Sequence, residues 1–271
     1  MTADRFDAQA RTFDERAGIP PDAARAVARA VLDLLAPGPD DLLLELGAGT
    51  GEIGRHLAGS MNYVGLDRSS AMLDRFLAKL GARQRARASL VKADADRSWP
   101  VDDGTVRAVF ASRVAHLLEP DHLIAELRRV SEPGGYLLIG HVARDRSSVH
   151  RILRDKRELL LRARGFSPRQ GRQMGRRVLD GLVASGATHI ETRPVATWWA
   201  QASVGQVIDG WARLETMGGC QLNADVRSAI LAQLTDWATG ELGDLTTISI
   251  SEERYMLGGV RLKEGTSTIH C

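Results

Sequence analysis

The chain has very few cysteines. Cys220 and Cys271 are the only two in 271 residues, and neither has neighbouring histidines at the spacing of a metal site. Two distant cysteines exclude a disulfide framework and give no zinc-site pattern. We therefore expect a protein of the reducing cytoplasm that holds no metal ion.

The sequence also lacks a long apolar run and an excess of either charge. No stretch approaches the roughly 20 apolar residues of a membrane-spanning helix, and the first residues lack the basic and then apolar order of a signal peptide. Lys and Arg number 36 against 34 Asp and Glu, a net charge of +2 that makes no case for a nucleic-acid partner. With 44% hydrophobic residues, the chain suits one large soluble core rather than two independent domains.

Residues 41–51, Asp-Leu-Leu-Leu-Glu-Leu-Gly-Ala-Gly-Thr-Gly, form a short apolar run that ends in an acid and then in alternating glycines. An apolar run of this length, bounded by turn residues, predicts a strand buried on both faces. Residues 52–58 then have apolar spacing compatible with a helix. The stretch therefore predicts a strand, a nucleotide-binding glycine loop and a helix.

Two ligand classes use such a unit, and the glycine spacing separates them. A dinucleotide site needs GxGxxG, in which the third glycine lets helix and strand pack closely. Here Gly47, Gly49 and Gly51 give GxGxG, and Glu52 stands where the dinucleotide motif has its third glycine. A carboxylate at that position would repel a pyrophosphate. Glu45 at the strand end suits instead a ligand with a cationic amine or sulfonium, which describes S-adenosylmethionine.

Residues 45–51, Glu-Leu-Gly-Ala-Gly-Thr-Gly, resemble the first motif of the class I S-adenosylmethionine-dependent methyltransferases. The resemblance implies an α/β fold with a doubly wound, Rossmann-like sheet of seven strands, mostly parallel with one antiparallel edge strand. It implies S-adenosyl-L-methionine as cofactor and S-adenosyl-L-homocysteine as product. The residues expected around the cofactor at this loop are Glu45, Gly47, Ala48 and Gly49.

An acid also ends the second predicted strand. Asp67 lies about 20 residues beyond Gly47, where a carboxylate can accept hydrogen bonds from both ribose hydroxyls of an adenosine. The alternative is that Asp67 caps the helix predicted over residues 69–80. Arg68 and Met72 are expected to lie along the adenine or the ribose.

The strands that follow match the resembling family in order, as far as the fifth strand at residues 136–142. In that family the acid after strand three accepts a hydrogen bond from the adenine amino group, which implies this role for Asp94 with the small Ala95 beside it. Ser112 follows strand four and is expected near the methionine portion of the cofactor.

Two histidines follow strands four and five. His116 and His141 are expected at the carboxyl ends of the strands, where ligands bind in an open parallel sheet. An unperturbed imidazole can take up a proton near neutral pH, so either is a candidate catalytic base. It is equally open that His116 caps or packs under the next helix.

We expect a single domain over residues 1–263, followed by a disordered tail at 264–271. Helical patterns at 1–36, 143–166 and 203–243 are predicted to form a cap, and such additions to an α/β scaffold tend to carry substrate specificity. Side chains that could line an apolar substrate pocket, or could equally pack in the core, are Phe13, Trp198, Trp199 and Trp211.

Residues 144–177 are rich in Arg and Lys with few acids. A basic helix could bind an acidic substrate, a membrane surface or RNA. A solvated face is favoured, because the net charge is nearly balanced and no aromatic residues are interleaved as stacking platforms.

The sequence therefore predicts methyl transfer from S-adenosylmethionine to a small organic acceptor, as in quinone C-methyltransferases and natural-product O-methyltransferases. Residues 112–115, Ser-Arg-Val-Ala, do not match the Asn-Pro-Pro-Tyr type of signature of enzymes that methylate amino groups of bases and glutamine. We expect a monomer or homodimer. The alternatives left open are a tRNA or rRNA methyltransferase, a nicotinamide oxidoreductase, which Glu52 disfavours, and a non-catalytic cofactor-binding protein.

Overall fold

A computed structural model describes residues 7, 10, 13–14, 18–168, 171–214 and 216–264, except for the side chains of 171–174. Most of residues 1–17, the first part of the predicted cap, and most of the predicted tail lie outside these residues. The strands are β1 (Leu42–Leu46), β2 (Asn62–Asp67), β3 (Ala88–Lys92), β4 (Val106–Ser112), β5 (Ser131–Arg144), β6 (Thr188–Ser203), β7 (Thr216–Met217), β8 (Cys220–Gln221) and β9 (Ile248–Arg261). The helices are α1 (Pro21–Leu35), α2 (Gly54–Leu57), α3 (Ser70–Lys79), α4 (Ala82–Arg85), α5 (Pro120–Val130), α6 (Val149–Arg162), α7 (Gly171–Ala184), α8 (Val204–Ala212) and α9 (Ala224–Leu242).

Seven strands form one sheet in the order β3, β2, β1, β4, β5, β9, β6. β1 pairs in parallel with both β2 and β4. The pair β2 and β3 and the pair β4 and β5 are also parallel. Central strands covered on both faces need continuous apolar runs, and Leu43, Leu44 and Leu46 of β1 are fully buried. The predicted fold class is confirmed.

The last strand of the sheet, β9, runs antiparallel to β5. The Leu262 amide donates to the Gly135 carbonyl (2.8 Å), and the Asp145 amide donates to the Glu252 carbonyl (3.3 Å). Partner numbers on one strand rise as those on the other fall, which defines antiparallel pairing. The antiparallel strand lies between β5 and β6, so β6 forms the edge where the antiparallel strand was expected.

The chain divides into two compact units. The first contains the described residues within 1–141, 171–196 and 255–271, and the second those within 142–170 and 197–254. The first unit has the main apolar core, in which side chains of β1, β4 and β5 pack with those of α5 and α7. The second has its own core, where α6, α8 and α9 pack together. The predicted single domain, and the predicted role of 143–166 and 203–243 as a cap, stay predictions.

Candidate functional site

The glycine loop follows β1 in a left-handed backbone conformation. Gly47, Gly49 and Gly51 have φ angles of +64°, +55° and +73°, a region that side chains with a Cβ rarely adopt. Among the described residues other than its two chain neighbours, a Cβ built on Gly49 would meet only the Gly47 carbonyl oxygen, at 3.9 Å. None of their side chains therefore lies within 4 Å of that position. Ala48 is buried, and its amide fixes the loop by donating to the Leu66 carbonyl at the end of β2 (2.8 Å).

Asp67 faces the loop from the end of β2. One of its carboxylate oxygens accepts a hydrogen bond from the Gly49 amide (2.9 Å), and the other accepts one from the Ser69 amide (2.9 Å). Burial raises the pKa of Asp67, although these backbone donors oppose the shift. The Arg68 amide is a third backbone donor to this carboxylate, and three donors do not fill the roughly four lone-pair positions of a carboxylate. The N-cap of α3 is Ser69, which accepts from the Met72 amide, rather than Asp67.

The third acid lies beyond β3. Asp94 accepts a hydrogen bond from the Asp96 amide (3.1 Å), and Arg68 lies 3.4 Å from its other oxygen. The structure thus brings Asp67, Arg68 and Asp94 to the same carboxyl edge of the sheet. Ala95 and Met72 are buried in the core, at 8% and 2% exposure, and their predicted contacts with the cofactor stay predictions.

Glu45 is the penultimate residue of β1 and is only 3% exposed. The Tyr63 hydroxyl donates to its carboxylate, and a Cβ on Gly54 would come within 2.6 Å of the same oxygen. Burial raises the pKa of Glu45 to about 8, against the opposing hydrogen bond from Tyr63. Its predicted role toward a cationic ligand stays a prediction.

Glu52 joins three segments of the chain. It forms an ion pair with Arg113 in the turn after β4, and its other oxygen accepts from the Ile19 amide (2.9 Å). Arg113 has a φ of +58°, which is uncommon without glycine, and its amide donates to the Gly140 carbonyl (2.8 Å). Glu52, the residue by which this loop differs from a dinucleotide motif, therefore also links the loop to the turn after β4.

Ser112 at the end of β4 has a partner on β9. Its hydroxyl lies 2.6 Å from the hydroxyl of Tyr255, which is fully buried. Burial raises the pKa of Tyr255, so its hydroxyl remains protonated at physiological pH and fixes the Ser112 side chain.

The two candidate bases differ in exposure. His116 is exposed on a short 3-10 turn at Ala115–Leu117, and His141 is half-buried on β5. His116 follows β4, whereas His141 lies within β5, three residues before the strand ends at Arg144. Their catalytic roles stay predictions.

The proposed substrate residues are placed in different parts of the fold. Phe13 belongs to the first unit, whereas Trp198, Trp199 and Trp211 belong to the second. Trp199 is 71% exposed, Trp198 is half-buried, and Trp211 packs against a guanidinium group. Their roles toward a substrate stay predictions.

Residues that sequence reasoning missed hold the site together. Tyr63, Arg113 and Tyr255 contact the candidate residues Glu45 and Ser112 or the loop acid Glu52, yet all three lie far from their partners in sequence. Two acids near the N-terminus also contact this region: Asp14 accepts from Thr50 and from Lys79, and Asp7 accepts from Ser69. No short-range pattern marks such pairs.

The geometry fits the cofactor that the resemblance implies. The carboxylate of Asp67 at the Gly49 amide, with Asp94 after the neighbouring strand β3, suits hydroxyl and amino donors of an adenosine better than a pyrophosphate. Among the described residues no group of three or more His, Cys, Asp and Glu side chains could hold a metal ion.

Comparison with known proteins agrees with this geometry. Residues 44–139 match the family model described as a methyltransferase domain. The chain is 32% identical over 142 residues to malonyl-[acyl-carrier protein] O-methyltransferase of Marinomonas sp. (strain MWYL1), covering 50% of this chain and 49% of that protein. It is 33% identical over 113 residues to demethylmenaquinone methyltransferase of Renibacterium salmoninarum, covering 41% of this chain and 45% of that protein.

A solved structure shares the fold. It is a Bacillus halodurans C-125 protein with a provisional methyltransferase assignment, matching with a TM-score of 0.57 at 14% identity over 87% of this chain and 98% of that chain. The chain spans about a third to a half of the length of the curated relatives it matches. The resemblance of residues 45–51 is confirmed, and residues 44–139 are a methyltransferase domain of the class I, S-adenosylmethionine-dependent family. Of the helices that the structure describes, none combines the length and apolar character needed to cross a membrane.

Proposed function

We propose that this protein transfers a methyl group from S-adenosylmethionine to an oxygen or carbon atom of a small organic acceptor. The observation that carries the proposal is the pairing of the glycine loop with Asp67 through the Gly49 amide. This pairing holds a carboxylate where the ribose of a bound adenosine would lie. The relatives named above as methyltransferases of small substrates support the same class of reaction.

Bound cofactor would supply an activated methyl group on a sulfonium, so the protein has to align the acceptor and remove its proton. Asp67 and Asp94 would orient the adenosine, and Ser112, fixed by Tyr255, would orient the methionine portion. His116 or His141 would accept the proton from the acceptor. The Arg113–Glu52 pair would keep the loop in place while this happens.

Calorimetry on the pure protein tests the cofactor assignment. S-adenosylmethionine and S-adenosylhomocysteine should both bind, whereas NADH should not. Asp67→Asn should weaken binding by about tenfold or more, because hydrogen bonds to a charged acceptor are among the stronger ones. Asp74→Asn, at an exposed acid on α3, makes the same charge change and should bind normally. Absence of heat with both methyl compounds would refute the proposal.

Single-turnover methylation tests the base. Once an acceptor has been found by screening, His116→Gln and His141→Gln should be compared at saturating cofactor. Loss of a general base lowers turnover by about a hundredfold or more while cofactor affinity is unchanged. A histidine whose replacement leaves turnover intact has no such role.

A further inference from the structure

Helix α6 in the second unit carries five cations and two acids, and the acids account for only three of the cations. Asp155 pairs with Arg151 (3.9 Å) and Arg154 (2.7 Å), and Glu158 pairs with Arg154 (3.9 Å) and Arg162 (3.3 Å). Neither acid lies within ion-pair distance of the two remaining cations, Lys156 and Arg157, although Glu158 attracts Arg157 at longer range.

Both remaining cations lie over tryptophan rings. Arg157 stacks on Trp211 with its guanidinium carbon 4.2 Å from the ring centroid, and the Lys156 ammonium lies 4.9 Å from the centroid of Trp237. A guanidinium stacked on an aromatic face keeps its in-plane N–H groups available, because stacking uses only the face of the group. Arg157 is thus positioned by stacking, which leaves its donors available.

The two ends of the Arg157 guanidinium differ. Its Nε is sealed from solvent and hydrogen-bonds to none of the described residues. Neither terminal nitrogen is among the sealed atoms without a described partner, and a Cβ on Gly218 would lie 3.9 Å from Nη2, in ordinary contact with it. Burial lowers the pKa of Arg157, and the attraction of Glu158 only partly opposes this shift.

We propose that Arg157, backed by Trp211, is the binding site for an oxyanion, a carboxylate or phosphate group carried by a small molecule. Its planar fork matches two oxygens of such a group. A small anion fits better than RNA, since three of the five α6 cations are already paired with acids and the site offers one fork rather than a basic stripe. As a statement about the methyl acceptor, this rests on the proposed function; the anion site itself does not.

Calorimetry on the full chain tests the site with sodium malonate and inorganic phosphate as probes, against sodium chloride at equal ionic strength. Malonate or phosphate should bind the wild-type protein saturably, and the stronger of the two identifies the group recognised. Arg157→Gln keeps an uncharged stem over Trp211 and should weaken binding by about tenfold to a hundredfold, the loss expected for charge-assisted hydrogen bonds. Arg154→Gln makes the same charge change at a paired residue one turn away and should retain binding.

The proposal is overturned if neither probe binds wild-type protein, if Arg157→Gln binds as tightly as wild type, or if Arg154→Gln loses as much. Should Arg157→Gln fail to fold, Arg157→Lys decides, because it keeps the charge but lacks the fork and should bind more weakly than wild type. S-adenosylhomocysteine is titrated into the same proteins as a separate readout. Its failure to bind would refute methyl transfer and leave the anion site standing.

Discussion

At the scale of single residues, Gly51 of the glycine loop must be glycine for two separate reasons, its backbone conformation and the space beside it. Gly51 has a φ of +73°, and a Cβ there would lie 2.1 Å from the ring of Phe76. Gly104 has a similar φ of +68°, but a Cβ there would meet nothing within 4 Å. Substituting each glycine by alanine and comparing the two losses of stability therefore distinguishes the cost of the backbone conformation from the cost of the clash.

We expect Gly104→Ala to lower the free energy of unfolding by about 1 kcal/mol, the cost of a left-handed backbone with a Cβ. Gly51→Ala should cost clearly more, because the Phe76 ring must also move. Urea denaturation of both variants measures the difference. Equal losses would show that the loop accommodates a methyl group beside Phe76.

Glu45 gives a prediction about pH. Its pKa is raised by burial to about 8 in the folded protein, whereas a glutamate in an unfolded chain titrates near about 4.3. Below the lower value the carboxyl is protonated in both states. As the pH rises toward 8, only the unfolded state releases the proton, so this group makes stability fall by up to about 1.4 kcal/mol per pH unit.

Glu45→Gln should remove that contribution, so that the variant loses less stability than wild type as the pH rises through this window. The exposed residue Glu119 provides the control, since Glu119→Gln should keep the wild-type slope. Urea denaturation across the window measures it. Parallel curves for wild type and Glu45→Gln would contradict the shifted pKa.

The position of Asp67 beside the glycine loop could be predicted from the sequence. One helix and one strand separate the loop from Asp67, and this unit brings the end of the second strand next to the end of the first. The positions of Arg113 and Tyr255 could not be predicted, because their partners Glu52 and Ser112 lie 61 and 143 positions away. Such pairs depend on how strands are ordered, which no local pattern records.

At the scale of secondary structure elements, α5 is fastened to the turn that precedes β4 through one arginine. Arg129 donates two hydrogen bonds to the Glu126 carboxylate (2.9 and 2.7 Å), one to Asp103 (2.6 Å) and others to the carbonyls of Trp99 and Val101. The Glu126 carboxylate in turn accepts from the Trp99 amide (2.6 Å). The turn is therefore held by a planar group whose donors are all used.

Arg129→Lys should destabilise the protein by about 1 to 3 kcal/mol, because an ammonium cannot reproduce the bidentate contact and leaves carbonyls without a donor. Its exposed neighbour Arg128 supplies the control, for which the same substitution should change little. Thermal unfolding followed by circular dichroism compares them. A similar small effect for both would assign the stability of this turn to packing alone.

Strands and helices with strong periodicity could be predicted, among them β1 to β5, α3 and α5. The hairpin of β7 and β8 could not, since two-residue strands within a stretch of helical spacing give no alternation to detect. The interior position of β9 was also missed, because its apolar run fits an edge or an interior position equally well.

At the scale of the whole molecule, the near balance of charge argues against binding to nucleic acid. With 36 basic and 34 acidic residues, and with most cations of α6 paired with acids, no extended basic surface is expected. Filter binding with tRNA should therefore give weak association that does not depend steeply on salt. A steep fall in affinity with salt would instead favour an RNA methyltransferase.

The position of β9 between β5 and β6 also determines when, during synthesis of the chain, the sheet can form completely. During synthesis β6 emerges well before residues 248–261, yet in the described sheet its one neighbour is β9. Until that segment leaves the ribosome, β6 has no hydrogen-bonding partner there and β5 exposes an open edge, the kind of surface on which chains aggregate. A translational pause before residue 248 would prolong this exposure, and the nascent chain would then depend most on chaperones.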